Sequence, residues 1–119
     1  MKNELVYVAH MRDACRLCLD YAAQGETIFF TELVYQDAIF RRLEILGEAA
    51  KHVGPQLRQR YPQIPWSKAS DLRNFLAHEY EGIKLRIIWE LLQDEIPSLL
   101  LQLEDLLSDE GWKLPPDPV

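Results

Sequence analysis

The chain has 119 residues, 48% of them hydrophobic, enough for one compact core and too few for two ordinary domains. Thirteen Lys and Arg against 19 Asp and Glu give a formal net charge of −6, which argues against a generic nucleic-acid binder. No signal-like segment opens the sequence and no apolar run approaches the ~20 residues of a membrane span, so a cytosolic protein with no membrane partner is expected.

Helical spacing begins at once and predicts a first helix over residues 4–23, stopped by Gln24-Gly25. Its apolar stripe takes Tyr7, Met11, Ala14, Cys15, Cys18 and Ala22. Cys15-Arg16-Leu17-Cys18 has CxxC spacing, yet there is no second pair or spaced His for zinc, and no helix N-terminus to activate a thiol. Core packing is the expected role of both cysteines, and the expected compartment keeps thiols reduced.

Residues 26–30 read as a connection, with Thr31 as the N-cap of a second helix that runs to residue 53 and ends at Gly54-Pro55. That helix has a wide apolar arc, suited to touching several neighbours. Its remaining stripe reads Asp37, Arg41, Glu44, Glu48, Lys51. Such a stripe is either a solvated face laced with ion pairs, or the border of a cleft in which Glu48 or Asp37 orients a cation. Gly47, mid-helix, costs ~1 kcal/mol against Ala and points to a close backbone approach.

A short helix over 55–61 comes next, then Pro62 and Pro65 punctuate a link whose Trp66 plugs one end of the core. Ser67 is the expected cap of a further helix that carries Leu72-Arg73-Asn74-Phe75-Leu76-Ala77-His78-Glu79-Tyr80 and ends near Gly82. The last helix starts near Lys84 with unbroken three-four spacing from Leu85 to Leu106, kinked or split at Pro97. Ile87 and Leu91 lie off that stripe, either as scattered surface apolars or as part of a subunit interface. The expected architecture is all-α: a four- to five-helix, up-and-down bundle over residues 1–107, followed by a proline-rich tail over 108–119.

On the helix that carries Arg73, Ala69, Leu72, Phe75 and Leu76 form an apolar side, and Asn74 and His78 stack on the opposite one with Asp71 below. The long stem of Arg73, at the edge between faces, can carry its guanidinium towards His78. Histidine can take and give a proton near neutral pH, and arginine can clamp a phosphate and stabilise charge developing on it. A lone His on a polar helix face is commonly just a surface residue, so composition alone leaves the choice open. Between residues 51 and 78 lie Lys51, Arg58, Arg60, Lys68 and Arg73 against Asp71, which leaves room for a local basic patch on an acidic protein.

Arg73-x4-His78-x-Tyr80 with Asn74 after the Arg, Ile64-Pro65-Trp66 upstream and Gly47-Glu48-Ala49 on the preceding helix resemble the HepT-like toxins of the HEPN superfamily. The resemblance spans roughly residues 4–107. It implies a metal-independent endoribonuclease with no cofactor, acting on RNA rather than DNA, as the toxin of a type VII-like toxin–antitoxin pair. It further implies a two-fold homodimer whose motif helices face each other across one composite site. His78 is then the general acid/base, Arg73 the charge stabiliser and Asn74 the group that holds His78 or substrate. Asp37, Glu48 and Asp71 stand as possible supporting carboxylates, with no metal site among them. Tyr80 is implied as the acceptor of AMP from a cognate minimal nucleotidyltransferase that silences the toxin; its alternative is a half-buried aromatic closing the helix end. The competing function is a non-catalytic helical partner subunit that binds a nucleotide or positions a nucleotidyltransferase.

Overall fold

The computed structural model describes residues 3–78 and 85–113, except for the side chain of His78. Seven helices and no strand occur among the described residues: α1 (Leu5–Ala22), α2 (Glu26–Thr31), α3 (Leu33–Lys51), α4 (Pro55–Arg60), α5 (Trp66–His78), α6 (Leu85–Asp94) and α7 (Ile96–Asp109). The helical class follows from the sequence; the number of helices exceeds the four to five expected, for two local reasons. Residues 26–30 belong to α2, a helix too short to show a period, entered through Gly25 at φ +108°, a conformation that favours glycine. The last periodic segment divides at Glu95, so that Pro97 falls in the first turn of α7, where its missing N–H costs nothing.

Two caps differ from expectation. Thr31 ends α2 and turns its hydroxyl back to donate to the Thr27 carbonyl at 2.7 Å, leaving Glu32 as the N-cap of α3. Ser67 lies inside α5, because the Pro65 carbonyl already accepts the first helical bond, from Ala69 N–H at 2.9 Å. Residues 79–84, including Tyr80, Gly82 and the expected start at Lys84, lie outside the described residues.

Helix α3 is the axis of the molecule, packed on one side against α1 and on the other against α5, while α7 closes α1 and α6 bridges α7, α1 and α2. Its wide apolar arc is accounted for by these neighbours: Ile39, Leu43, Leu46, Ala49 and Ala50 are all buried. Cys15 and Cys18 are free thiols with no exposed surface. Burial pushes the Cys15 thiol well up, and Cys18 up to about 12, so neither is a nucleophile at neutral pH. Trp66 is buried with its indole N–H donating to the Tyr61 carbonyl at 3.0 Å. At the chain end, α7 runs to Asp109 and Trp112 folds back against the core, its N–H donating to the Leu107 carbonyl.

The tightest joint lies between α3 and α5. A Cβ built on Gly47 would meet the Arg73 nitrogen at 2.9 Å and the Ala69 oxygen at 3.2 Å. The glycine lets the two backbones touch at the level of the polar motif, which sets Arg73 directly over the exposed stripe of α3.

Candidate active site

Ala69 and Leu76 are buried on the inner side of α5, and Leu72 and Phe75 pack partly against the core. That anchoring leaves Asp71, Arg73 and Asn74 exposed, and brings α5 to its last residue at His78. Arg73 reaches across the Gly47 joint to α3, its Nε 3.1 Å from Glu48 Oε1. The other carboxylate oxygen, Glu48 Oε2, lies 3.4 Å from Nε2 of His52, one turn further along. Both partners of each pair are about half exposed, so these contacts contribute little to stability, under ~1 kcal/mol each. Their consequence is positional. Glu48 meets the guanidinium at its Nε, and neither terminal nitrogen is needed for that contact, so a phosphate can still be met by them.

A cleft of about 450 Å³ opens beside this pair, lined from α1 by Tyr7 and His10, from α3 by Arg41, Glu48 and the following His52, and from α5 by Arg73. Tyr7 and His52 are stacked, with ring centroids 4.8 Å apart and planes at 22°, and the edge of His10 meets Tyr7 at 6.1 Å and 89°. Arg41 lies on the same wall, 3.6 Å from Glu44. Two arginines, the carboxylates of Glu44 and Glu48 paired with them, and aromatic rings therefore share one concave surface, a combination that suits a phosphorylated, aromatic ligand.

Of the supporting carboxylates expected from the sequence, the structure brings Glu48 to Arg73. Asp37 is exposed nearly three turns earlier on α3 and does not line the cleft. Asp71 lines a different groove, of about 380 Å³, between α5 and α6. There Leu72, Phe75, Ile87 and Leu91 form an apolar floor, and Asp71, Glu90 and Asp94 an acidic rim. Ile87 and Leu91 are thus parts of one continuous surface, and its rim repels phosphate. Asn74 is exposed beside Arg73, outside the cleft lining. His78 follows Asn74 by one turn as the last residue of α5, while its side chain and Tyr80 lie outside the described residues.

The basic patch does not assemble. Arg58 donates to the Ala50 and Val53 carbonyls at 2.7 and 2.9 Å and so closes the C-terminal end of α3. Arg60 pairs with Glu110 at 2.8 Å, and Lys68 pairs with Glu95 on the far side of α5. Arg73 and Arg41 are the cations of the cleft lining. Tyr7, His10 and His52 are the lining residues that sequence reasoning missed. The i,i+4 spacing of Glu48 and His52 was a visible signal, but Tyr7 reads as part of an apolar stripe.

A Caldanaerobacter subterraneus protein named as a candidate RNase is 34% identical over 112 residues, covering 92% of this chain and 99% of its own. A Methanocaldococcus jannaschii protein named as a gamma-glutamylcyclotransferase and candidate RNase is 32% identical over 109 residues; the chain spans about half, 49%, of its length. A Thermococcus cleftensis protein named as a candidate ribonuclease HepT is 36% identical over 78 residues, 66% of this chain and 71% of its own. No solved structure matches the chain. The family model described as Ribonuclease HepT-like matches residues 11–106, which takes in α3, Gly47, Glu48 and the whole of α5, and the chain belongs to the HepT-like ribonuclease family.

Proposed function

We propose that the chain is a metal-independent endoribonuclease, the toxin of a toxin–antitoxin pair. The observation that carries this reading is Arg73, held at its Nε by Glu48 and opening on a polar cleft one turn and a half before His78. Membership of the HepT-like family and relatives named as ribonucleases support it.

The chemistry needs three things from the protein. A base takes the proton from the ribose 2′-OH as its oxygen attacks the adjacent phosphorus; an acid protonates the departing 5′ oxygen; and a cation stabilises the extra charge on the phosphoryl oxygens. The products are a 2′,3′-cyclic phosphate and a 5′-OH. His78 suits both proton transfers, yet one imidazole cannot be base and acid in the same step. Two copies of α5 facing each other across a two-fold axis supply one of each, with Arg73 beside them and Asn74 placed to orient His78 or the ribose. The site is then composite, and the homodimer is the active unit.

Tyr80, two residues after His78, is the proposed point of control. Transfer of AMP from ATP to its hydroxyl by a cognate nucleotidyltransferase releases pyrophosphate and places a bulky anion next to His78, where it competes for Arg73. A second reading, a non-catalytic partner subunit of that transferase, is favoured by the net charge of −6. One experiment separates them: purified protein and a labelled oligoribonucleotide in excess EDTA, with 2′,3′-cyclic ends scored by mass spectrometry. Cleavage lost in His78→Ala supports the enzyme. No cleavage by the wild-type dimer, or cleavage abolished by the chelator, overturns it.

A further inference from the structure

Resting on the ribonuclease reading, we propose that the Tyr7–His52 stack is a base-binding platform for an unpaired stretch of RNA. It seats the nucleotide next to the one whose phosphate meets Arg73. Three observations place it there. His52 packs one ring face on Tyr7, at 4.8 Å and 22°, yet its side chain is 51% exposed and lines the cleft, which leaves surface for a further ring to stack on. Tyr7 braces the ring from beneath and is itself met edge-on by His10, so the platform stands on α1 and is not a loose side chain. Finally, Glu48 contacts Arg73 through one oxygen and His52 through the other, which joins the cation and the ring through a single carboxylate in the same cleft lining.

A phosphate and a base separated by one sugar match that arrangement. Unpaired bases present open faces to aromatic rings and stack on them with little regard to identity, whereas bases in a duplex are already stacked. The cleft lining provides stacking faces and two carboxylates, Glu44 and Glu48, each already paired with an arginine rather than offered to a base edge. The platform therefore selects single-stranded over double-stranded RNA and tolerates many sequences. His52 is a substrate-positioning residue here, apart from the proton transfers assigned to His78.

The test compares wild type, His52→Ala and His52→Phe. Both variants lose the contact to Glu48, and only the second keeps a ring, so the pair separates stacking from ion pairing. Binding is read by fluorescence anisotropy with a 2′-O-methyl oligonucleotide that cannot be cleaved, turnover with its all-ribose counterpart, and folding by circular dichroism. His52→Ala should raise Kd and KM for the single strand roughly tenfold, with kcat within about twofold, and His52→Phe should stay near wild type. Binding of a duplex of the same sequence should be weak and unchanged by either substitution. Unaltered single-strand binding in His52→Ala, equal losses in both variants, or equal losses for duplex and single strand would each overturn the platform while leaving the ribonuclease assignment standing. A wild-type protein that neither binds nor cuts RNA removes both.

Discussion

A Cβ at residue 47 would sit 2.9 Å from the backbone nitrogen of Arg73 and 3.2 Å from its Cβ, so the glycine of one helix is fitted to the arginine of another. Gly47→Ala should gain up to ~1 kcal/mol of intrinsic helix propensity. It must also push α5 off α3 against backbone, which yields less readily than a side-chain tip, and overpacking of this kind costs about 1–3 kcal/mol. With the full propensity gain, the net expectation is a loss of stability of about 0–2 kcal/mol. Catalysis should fall more than stability does, because the displaced backbone carries Arg73 away from Glu48. Thermal melts together with RNA cleavage on the same preparation check this; a variant melting above wild type at full activity would contradict it.

Arg12 gives a prediction about the core. The residue is 4% exposed, with Nε donating to Glu104 at 3.2 Å and one terminal nitrogen donating to Asp13 at 3.0 Å. Burial, the largest influence, pulls its pKa down, and the hydrogen bonds to Asp13 and Glu104 more than offset it, so the group stays charged inside. Removing the partner should therefore hurt more than removing the charge. Glu104→Ala leaves a buried cation with only the more exposed Asp13 and should cost about 2–3 kcal/mol. Arg12→Met keeps the stem's volume and leaves Glu104 able to reach water, at about 1 kcal/mol or less. Chemical denaturation of the two variants decides the order; a larger loss in Arg12→Met reverses the account.

These cases show which features were legible in the sequence. Gly47 mid-helix announced a close backbone approach, because glycine there has a cost that close packing explains, and the structure supplies α5 as the partner; Pro97 announced a kink or division of the last helix. The CxxC read correctly as core because the period of α1 placed both thiols inward. What was not legible has physical reasons too. Six residues of α2 are too few for a 3.6-residue period, and its identity rests on the turn at Gly25 and on Phe29 stacking against Trp89 at 5.3 Å. Tyr7, His10 and His52 come from ends of α1 and α3 far apart in sequence, and only the pairing of those helices makes them one surface. The expected basic patch dissolved because Arg58, Arg60, Lys68 and Arg73 each met a carbonyl or a carboxylate on another part of the fold.

The two buried thiols make a prediction about alkaline pH. Burial raises Cys18 from the ordinary 9.0 to about 12, and holds Cys15 well above 9.0 too. A group whose folded pKa exceeds its unfolded value adds stability that is fully present below the unfolded value and is lost as pH rises towards the folded one. Stability should accordingly be insensitive to these groups up to about pH 8 and fall between about 9 and 12. In native protein at pH 8 a disulfide reagent such as DTNB should label neither cysteine, and in denaturant it should label both. Cys18→Ala should flatten part of the alkaline loss. Rapid labelling of native protein at pH 8 would show that the α1 stripe opens far more readily than its packing implies.

The last prediction concerns how Glu48 serves Arg73. Both side chains are about half exposed, so their pairing is worth less than ~1 kcal/mol to the fold, and substitutions at either should leave the melting temperature nearly unchanged. Activity should respond differently if the contact of Glu48 at the Nε orients the guanidinium towards a phosphate. Arg73→Ala should abolish cleavage. Arg73→Lys should recover little of it, since a point charge cannot reproduce the fork or be held by a second nitrogen. Glu48→Gln keeps an oxygen that can accept from Nε and should retain a substantial fraction of kcat. Glu48→Ala frees the guanidinium to swing and should lose about tenfold or more in kcat, with binding of uncleavable RNA unchanged or tighter as one negative charge leaves the cleft. If Glu48→Ala and Glu48→Gln lose equal amounts of kcat, the carboxylate acts through its charge rather than by orienting Arg73. If neither loses any, the 3.1 Å contact is a surface ion pair with no part in the reaction.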